Sequence, residues 1–154
     1  MHDFDGAIAD FNKALELTPK KDDAHRTRIL INRSGCYYYN KDYTNTERDL
    51  LDALNYDDGT RVGDILASLG DLYLDTGNYQ RVIEGSNLLL SAELYPAYAH
   101  YQKAYAYLGL EDYEAAIDNA MAMYDLSNVD ELEFKWMLWR DVEYARKRLH
   151  ESIA

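Results

Sequence analysis

The sequence predicts an all-α protein built from repeated pairs of helices. Three features of the 154-residue chain predict this fold: it has only two prolines, three of its 15 tyrosines recur at nearly equal intervals, and the apolar residues near them are spaced by three and four. Few prolines permit long helices, because proline removes a backbone donor and clashes inside a helix. Spacings of three and four place side chains on one helical face. No segment shows the sustained alternation that is typical of a strand.

Short polar segments mark a turn that recurs along the chain. Each contains a tyrosine that opens an apolar stretch, and these are Tyr43, Tyr79 and Tyr113, at nearly equal intervals. Phe4 opens a similar stretch upstream of the first of them, at a comparable distance. Another helical run precedes each of the three turns. The unit is therefore a helix, a short turn and a second helix, with a period of about 34 residues.

These units resemble the tetratricopeptide repeat, a helix pair of about 34 residues with the pattern W-x2-L-G-x2-Y, then A-x3-F, then P. The run Leu-x2-Leu-Gly-x2-Tyr at 66–73 is similar to the first helix of that repeat. The run Phe-x2-Ala-x3-Phe at 4–11, closed by Pro19, is similar to the second. The resemblance implies a right-handed α-solenoid of antiparallel helix pairs, with a concave face.

The domain organisation follows from this register. We expect residues 1–154 to form a single domain of helix pairs. Its parts are the second helix of a truncated repeat at 3–19, full repeats at 27–58, 63–94 and 97–128, and a capping helix at 130–153. The capping helix is predicted from one apolar stripe, formed by Phe134, Leu138, Val142, Ala145 and Leu149. Residues 20–26 and 59–62 are expected to be connections.

Several positions depart from the family pattern. Arg33 and Lys103 stand where the family usually has an apolar residue, and Ser86 replaces a large aromatic one. Gly109 lies two residues before the position that corresponds to the turn glycine Gly77. These departures leave the register of the third and fourth units less well defined than that of the others.

Composition and charge exclude several classes of partner. Acidic residues outnumber Lys and Arg by 28 to 16, which gives a formal charge of −12. A protein so acidic is not expected to bind nucleic acid or anionic lipid. No apolar run is long enough to span a membrane, and the first residues lack the features of a signal peptide. Because the single cysteine, Cys36, fits a reducing compartment, we expect a cytoplasmic protein.

The sequence also carries no recognisable catalytic or metal-binding motif. The four histidines are not spaced for zinc, and neither a glycine-rich phosphate loop nor a Gly-x-Ser-x-Gly elbow is present. Cys36 lies in a predicted helix with no candidate base nearby. We therefore predict that the protein is not an enzyme and holds no metal or cofactor.

The resemblance implies that the first helix of each unit lines a concave, partner-binding groove. The stripe that faces it gives the candidate binding residues, which are Arg28, Asn32, Tyr39, Asp64, Ser68, Asp71, Asp75, Tyr98, Tyr101, Gln102 and Tyr105. Such a groove is acidic in its middle and rich in tyrosine at one end, which favours a peptide carrying Lys or Arg. The family's clamp for carboxylate tails is not expected, because Asp64 and Ser68 occupy positions where it needs basic residues. Alternatively, the aspartates form a solvated face and the tyrosines belong to the core.

Three classes of function remain open at this stage. The first is a non-catalytic scaffold for protein–protein interaction that binds a peptide or partner segment. The second is a ligand-sensing regulatory region of a larger protein or a fragment of a longer array, and the third is an enzyme. The first predicted helix has no preceding partner helix, so its apolar residues Phe4, Ile8 and Phe11 also suggest a homodimer.

Overall fold

The structure, a computed structural model, describes residues 3–126, 140, 143–148 and 150–151. Within residues 3–126 it contains seven helices: α1 (Phe4–Leu17), α2 (Asp23–Tyr39), α3 (Tyr43–Tyr56), α4 (Val62–Asp75), α5 (Tyr79–Ser91), α6 (Pro96–Gly109) and α7 (Tyr113–Leu126). No strand occurs among the described residues. The prediction of an all-α fold made of successive packed helices is confirmed.

The described residues form two compact units. Unit 1 ends at Leu72 and contains α1 to α3 and most of α4. In this unit α2 packs against both α1 and α3. Its buried apolar residues include Leu30 on α2 and Leu50 and Ala53 on α3. Ile65 and Leu69 of α4 are buried as well, so the core of unit 1 draws on α2, α3 and α4.

Unit 2 begins at Tyr73 and contains the end of α4 and the helices that follow. Here α6 packs against both α5 and α7. One core cluster joins α5 to α6 through Val82, Ile83 and Ala106. A second joins α6 to α7 through Ala104, Ala120 and Met123. Helix α6 is therefore buried on two sides, with small alanines at both contacts.

The turns that join α2 to α3, α4 to α5 and α6 to α7 share one hydrogen-bond pattern, which also occurs between α5 and α6. In each, a backbone N–H reaches the carbonyl five residues earlier, and the pairs are Asp42 with Tyr37, Asn78 with Tyr73, and Asp112 with Tyr107. The residue just before each donor has a left-handed backbone, and these residues are Lys41, Gly77 and Glu111. This bond and the left-handed residue end a helix in a tight turn. The recurrence of this turn at nearly equal intervals confirms the repeated unit at the level of the backbone.

Aspartates begin several of the helices. The side chains of Asp3, Asp22 and Asp42 each accept a hydrogen bond from the backbone N–H three residues later, at the start of α1, α2 and α3. A carboxylate in this position satisfies a donor that the helix leaves open. Because Asp22 caps α2, the helix begins at Asp23. The expectation that 20–26 is a connection is therefore wrong for its last four residues.

A buried ion pair joins the helices of unit 1. Arg33 of α2 donates from Nε and Nη2 to the two carboxylate oxygens of Asp49 on α3, at 2.6 and 2.8 Å. Its Nη1 donates to Asn12 Oδ1 on α1. Arg33 therefore stands at an apolar family position because it has a buried acidic partner. In unit 2 the corresponding cation, Lys103, donates to Asn87 Oδ1 at 2.9 Å.

The predicted capping helix at 130–153 lies mostly outside the described residues, including Phe134, Leu138, Val142 and Leu149 of its apolar stripe. The described residues 143–148 are helical. Ala145, which belongs to the same stripe, is buried. The Arg148 guanidinium lies 6.0 Å from the ring centroid of Tyr113, the first residue of α7. These contacts lie within unit 2.

Candidate functional site

Three helices of unit 1 enclose a small open cavity of about 210 Å³. Helices α2, α3 and α4 all contribute to it, and its lining consists of Ser34, Gly35, Tyr38, Tyr39, Thr46, Leu50, Ser68 and Asp71. Three of the sequence-predicted groove residues, Tyr39, Ser68 and Asp71, are therefore brought together here. This cavity is the candidate binding site of unit 1.

Gly35 lies on the cavity wall, in the second half of α2. A Cβ added at this glycine would have no atom within 4 Å. The glycine therefore leaves space over α2 that any other residue would partly fill. Leu50 of α3, which has 1% of its surface exposed, contributes apolar surface to the same wall.

Aromatic rings form the end of the cavity. The Tyr39 ring stacks on the ring of Phe4, with centroids 5.2 Å apart and planes 10° apart. Tyr38 meets Tyr39 edge-on at 5.9 Å. Asn40 Nδ2 also donates to Asp5 Oδ1 at 2.8 Å, so the end of α2 is attached to the start of α1. Helix α1 thus supports the aromatic end of the site, although Tyr39 itself remains 68% exposed.

The aspartates of α4 do not all contribute to the cavity. Asp71 lines it. Asp64 lies nearer the start of the helix, and its carboxylate is 3.8 Å from Arg61 Nη1. The sequence did not identify Arg61 as a partner of this aspartate. Asp75 is the exposed last residue of α4 and falls in unit 2. The charge at the cavity itself therefore comes from Asp71.

Two predicted groove residues of α2 lie on its surface outside the cavity. Arg28 and Asn32 are both exposed, and neither is among the lining residues. They precede Gly35 by seven and three residues on the same helix, which places them near its face. Their role in binding stays a prediction.

The predicted tyrosines of unit 2 form a ladder along α6. The rings of Tyr98 and Tyr101 stack with centroids 5.5 Å apart, and those of Tyr101 and Tyr105 lie 4.9 Å apart at a tilt of 54°. Tyr101 also packs against the cluster that joins α6 to α7. Tyr98 is the more exposed end of the ladder. The ladder is therefore partly core and partly surface.

Gln102 is fully buried rather than placed on a groove surface. It has 0% of its surface exposed. Its Oε1 accepts a hydrogen bond from Ser86 Oγ at 3.3 Å. Ser86 stands where the family has a large aromatic residue, and its small side chain leaves room for the amide. This pairing of α5 with α6 means that Gln102 contributes to the core of unit 2 and is not accessible to a ligand.

Other lining residues were not selected from the sequence. The cavity is also lined by Ser34, Tyr38, Thr46 and Leu50. Of these, only Tyr38 could have been selected from the sequence, because it is next to the predicted groove residue Tyr39. Thr46 and Leu50 belong to the second helix of their repeat, so a stripe drawn on first helices alone omits them. The cavity depends on both helices of one repeat and on the first helix of the next.

Reactive groups are limited among the described residues. Within these residues, no group of three or more His, Cys, Asp or Glu side chains is placed to hold a metal ion. Burial raises the pKa of the half-buried Cys36 thiol, so it is less readily ionised than a free cysteine. No helix in the described part of the chain has the length and apolar character needed to cross a membrane.

Residues 97–128, which include α6 and α7, match the family model of the tetratricopeptide repeat. These residues form a tetratricopeptide repeat, and the turn pattern at its centre recurs earlier in the chain. The match has the same bounds as the last full repeat expected from the sequence, and the turn at Glu111 lies near its centre. No curated protein matches the chain. Tetratricopeptide repeats typically act as non-catalytic surfaces for protein–protein interaction.

Proposed function

We propose that this tetratricopeptide-type protein is a non-catalytic interaction module that binds a protein or peptide segment carrying lysine or arginine. The observation that carries the proposal is the cavity of unit 1, where Asp71 lies beside aromatic and hydroxyl groups. A carboxylate next to aromatic rings favours a cationic ligand over an anionic one, because both attract positive charge.

The charge of the whole chain supports the same class of partner. With a formal charge of −12, the protein attracts basic segments over a distance and repels acidic ones. The aspartates of α4, Asp64, Asp71 and Asp75, lie on one side of that helix because steps of seven and four residues return close to the same direction. Binding should therefore weaken as salt is added.

The tyrosine ladder of α6 offers unit 2 a separate surface for the same kind of partner. Exposed tyrosine rings accept apolar side chains and the cations of Lys or Arg, at about 0.5 to 2 kcal/mol for each cation–π contact. Tyr98, at the exposed end of the ladder, is the residue that a ligand would contact first. Tyr101 stacks on the ring of Tyr98, and Tyr105 packs at a tilt against Tyr101.

A binding screen of basic, neutral and acidic peptides of equal length tests the proposal. Fluorescence anisotropy should give the tightest binding for the basic peptide, and its affinity should fall as salt is raised. The charge reversal Asp71→Lys with Asp75→Lys should abolish this preference. A matched reversal at two exposed residues elsewhere, Asp10→Lys with Asp118→Lys, changes the net charge equally and should weaken binding much less. If acidic peptides bind best, or if added salt leaves the affinity for the basic peptide unchanged, the proposal is wrong.

A further inference from the structure

We propose that the cavity of unit 1 receives a single lysine or arginine side chain of the partner, with its cation against Asp71. This inference rests on the proposed function and assigns one site within it. The cavity, at about 210 Å³, is smaller than the roughly 300 to 1,000 Å³ that is typical of small-molecule and cofactor sites. Its volume suits one long side chain rather than a helix or a cofactor.

The hydrogen-bonding capacity of the lining selects a donor. Each of its three aliphatic hydroxyls already donates its proton to a backbone carbonyl: Ser34 to Ile31, Thr46 to Asp42 and Ser68 to Asp64, at 2.7 to 2.9 Å. A hydroxyl has one proton, so the capacity that remains on these oxygens is for accepting. The carboxylate of Asp71 accepts as well. These oxygens and the carboxylate therefore favour a ligand group that donates, such as an ammonium or guanidinium group, over a carboxylate.

The apolar part of the lining suits the stem of such a side chain. Lys and Arg carry three or four methylenes that pack on apolar surface while the charged head reaches polar groups. Leu50, the open space over Gly35 and the rings of Tyr38 and Tyr39 supply that surface. Asp71, on α4, supplies the charge.

The aromatic end of the cavity is held in place before a ligand arrives. Phe4 stacks on Tyr39, and Tyr38 packs edge-on against the same ring. A site that is already ordered loses less conformational freedom on binding. Phe4 of α1 therefore helps to hold the Tyr39 ring at the end of the cavity.

The test uses NMR titration of the full chain with four capped pentapeptides that differ at one position: lysine, acetyl-lysine, norleucine or glutamate, flanked by alanine and glycine. The lysine peptide should shift the backbone amides of Gly35, Ser68 and Asp71. Acetyl-lysine keeps the stem and removes the charge, so it should bind about tenfold more weakly. Equal binding of the lysine and norleucine peptides would overturn the inference.

Two variants test whether the cavity is the binding site. They also distinguish failure of the cavity inference from failure of the proposed function. Asp71→Asn should weaken the lysine peptide about tenfold, whereas Asp10→Asn, an exposed residue of α1, removes the same charge outside the cavity. Gly35→Leu adds side-chain atoms to the cavity wall and should abolish binding. Its Cβ meets no atom within 4 Å, and circular dichroism checks that the variant stays folded. If a longer basic peptide binds the native chain but neither cavity variant weakens it more than Asp10→Asn, the cavity inference fails and the proposed function stands. If no basic peptide binds the native chain, both fail.

Discussion

Arg33 binds both carboxylate oxygens of Asp49, and this pair joins α2 to α3 inside unit 1. The Asp49 side chain has 0% of its surface exposed and that of Arg33 has 12%. Burial by itself lowers the pKa of Arg33, but the hydrogen bonds and negative charge of Asp49 outweigh it and raise that pKa. The guanidinium therefore stays charged. Breaking the pair would leave an uncompensated charge in the core.

The first prediction concerns this buried pair. Arg33→Met should lower the free energy of unfolding by about 3 to 5 kcal/mol, because it leaves the carboxylate of Asp49 buried without its main partner. Arg48 provides a matched control: it lies 3.4 Å from the same carboxylate, but its side chain is 54% exposed. Arg48→Met should cost less than about 1 kcal/mol. Urea denaturation monitored by circular dichroism measures both.

A double variant separates the ion pair from simple loss of packing. Arg33→Met with Asp49→Leu removes both charges and keeps similar volumes, so it should recover much of the stability lost by Arg33→Met alone. If the double variant is as unstable as the sum of the two single variants, the pair does not act as a unit.

The sequence singled out Arg33 but could not identify its partner. An arginine at an apolar position indicates a buried acid, yet α3 carries Glu47, Asp49 and Asp52 close together. Only the rotation of α3 against α2 decides which carboxylate faces the arginine, and that rotation depends on packing of the whole helix pair. Single-residue patterns contain no such information.

The helical repeat itself was predictable because each turn repeats its tyrosines and its polar residues. The register of the last turn was harder to predict, because its glycine, Gly109, lies two residues before the position that corresponds to the turn glycine Gly77. The structure places Glu111, not Gly109, in the left-handed position. A glycine is favoured there, but a short turn between packed helices can hold another residue in that backbone conformation. Composition alone therefore cannot locate the turn residue.

The turn residues give a second prediction. Lys41 and Glu111 both have φ of 60°, a conformation that costs a residue with a Cβ about 1 to 2 kcal/mol. Lys41→Gly and Glu111→Gly should each raise the free energy of unfolding by about 0.5 to 1 kcal/mol, after the greater entropy of glycine in the unfolded chain is allowed for. Gly77→Ala, at φ of 72°, should lower it. Thermal unfolding of the three variants checks the signs, and a destabilised Glu111→Gly variant would contradict this account.

A third prediction concerns a buried hydroxyl on α2. Thr27 is 1% exposed, and its Oγ1 has no hydrogen-bond partner. Thr27→Val keeps the shape and removes the unsatisfied oxygen, so it should stabilise the protein by about 1 kcal/mol. The equally buried Thr46 donates its hydroxyl to the carbonyl of Asp42 at 2.9 Å. Thr46→Val should therefore be neutral or destabilising, and urea denaturation should separate the two variants. A loss of stability in Thr27→Val would indicate a partner for its hydroxyl in solution.

The candidate site was only partly predictable. Tyr39 of α2 and Ser68 and Asp71 of α4 line one cavity, but whether they bind a partner stays a prediction. Gln102 was expected on the groove surface of α6, but it is buried. Neighbouring positions on a helix differ by about 100°, so a small error in the predicted rotation of α6 places a core residue on the surface. Ser86 could have indicated that Gln102 is buried, because a small residue at a position that is usually aromatic leaves space for a neighbouring side chain.

A fourth prediction concerns association through α1. None of the residues of α1 is fully buried, and Phe4, Ile8 and Phe11 remain half-buried although α1 packs on α2. We expect a dimer at high concentration that covers these side chains, since burying apolar area is favourable by roughly 25 cal/mol per Å². Light scattering should show the dimer, and Phe11→Lys should shift it to monomer. A native chain that stays monomeric at high concentration would contradict this prediction.

The last prediction uses two helical glycines with opposite surroundings. A Cβ on Gly109, at the end of α6, would overlap the ring of Tyr79, whereas a Cβ on Gly85 of α5 would meet nothing within 4 Å. Gly85→Ala should therefore stabilise the protein by about 1 kcal/mol, the difference in helix propensity. Gly109→Ala should destabilise it, because overlap in a packed contact costs about 1 to 3 kcal/mol and exceeds the propensity gain. Thermal unfolding of the two alanine variants should thus shift in opposite directions. Repeating Gly109→Ala in a Tyr79→Leu background removes the overlapping ring, and the cost should then fall to near zero. If Gly109→Ala lowers stability as much in the Tyr79→Leu background as in the native chain, the ring of Tyr79 is not the reason for a glycine at the end of α6.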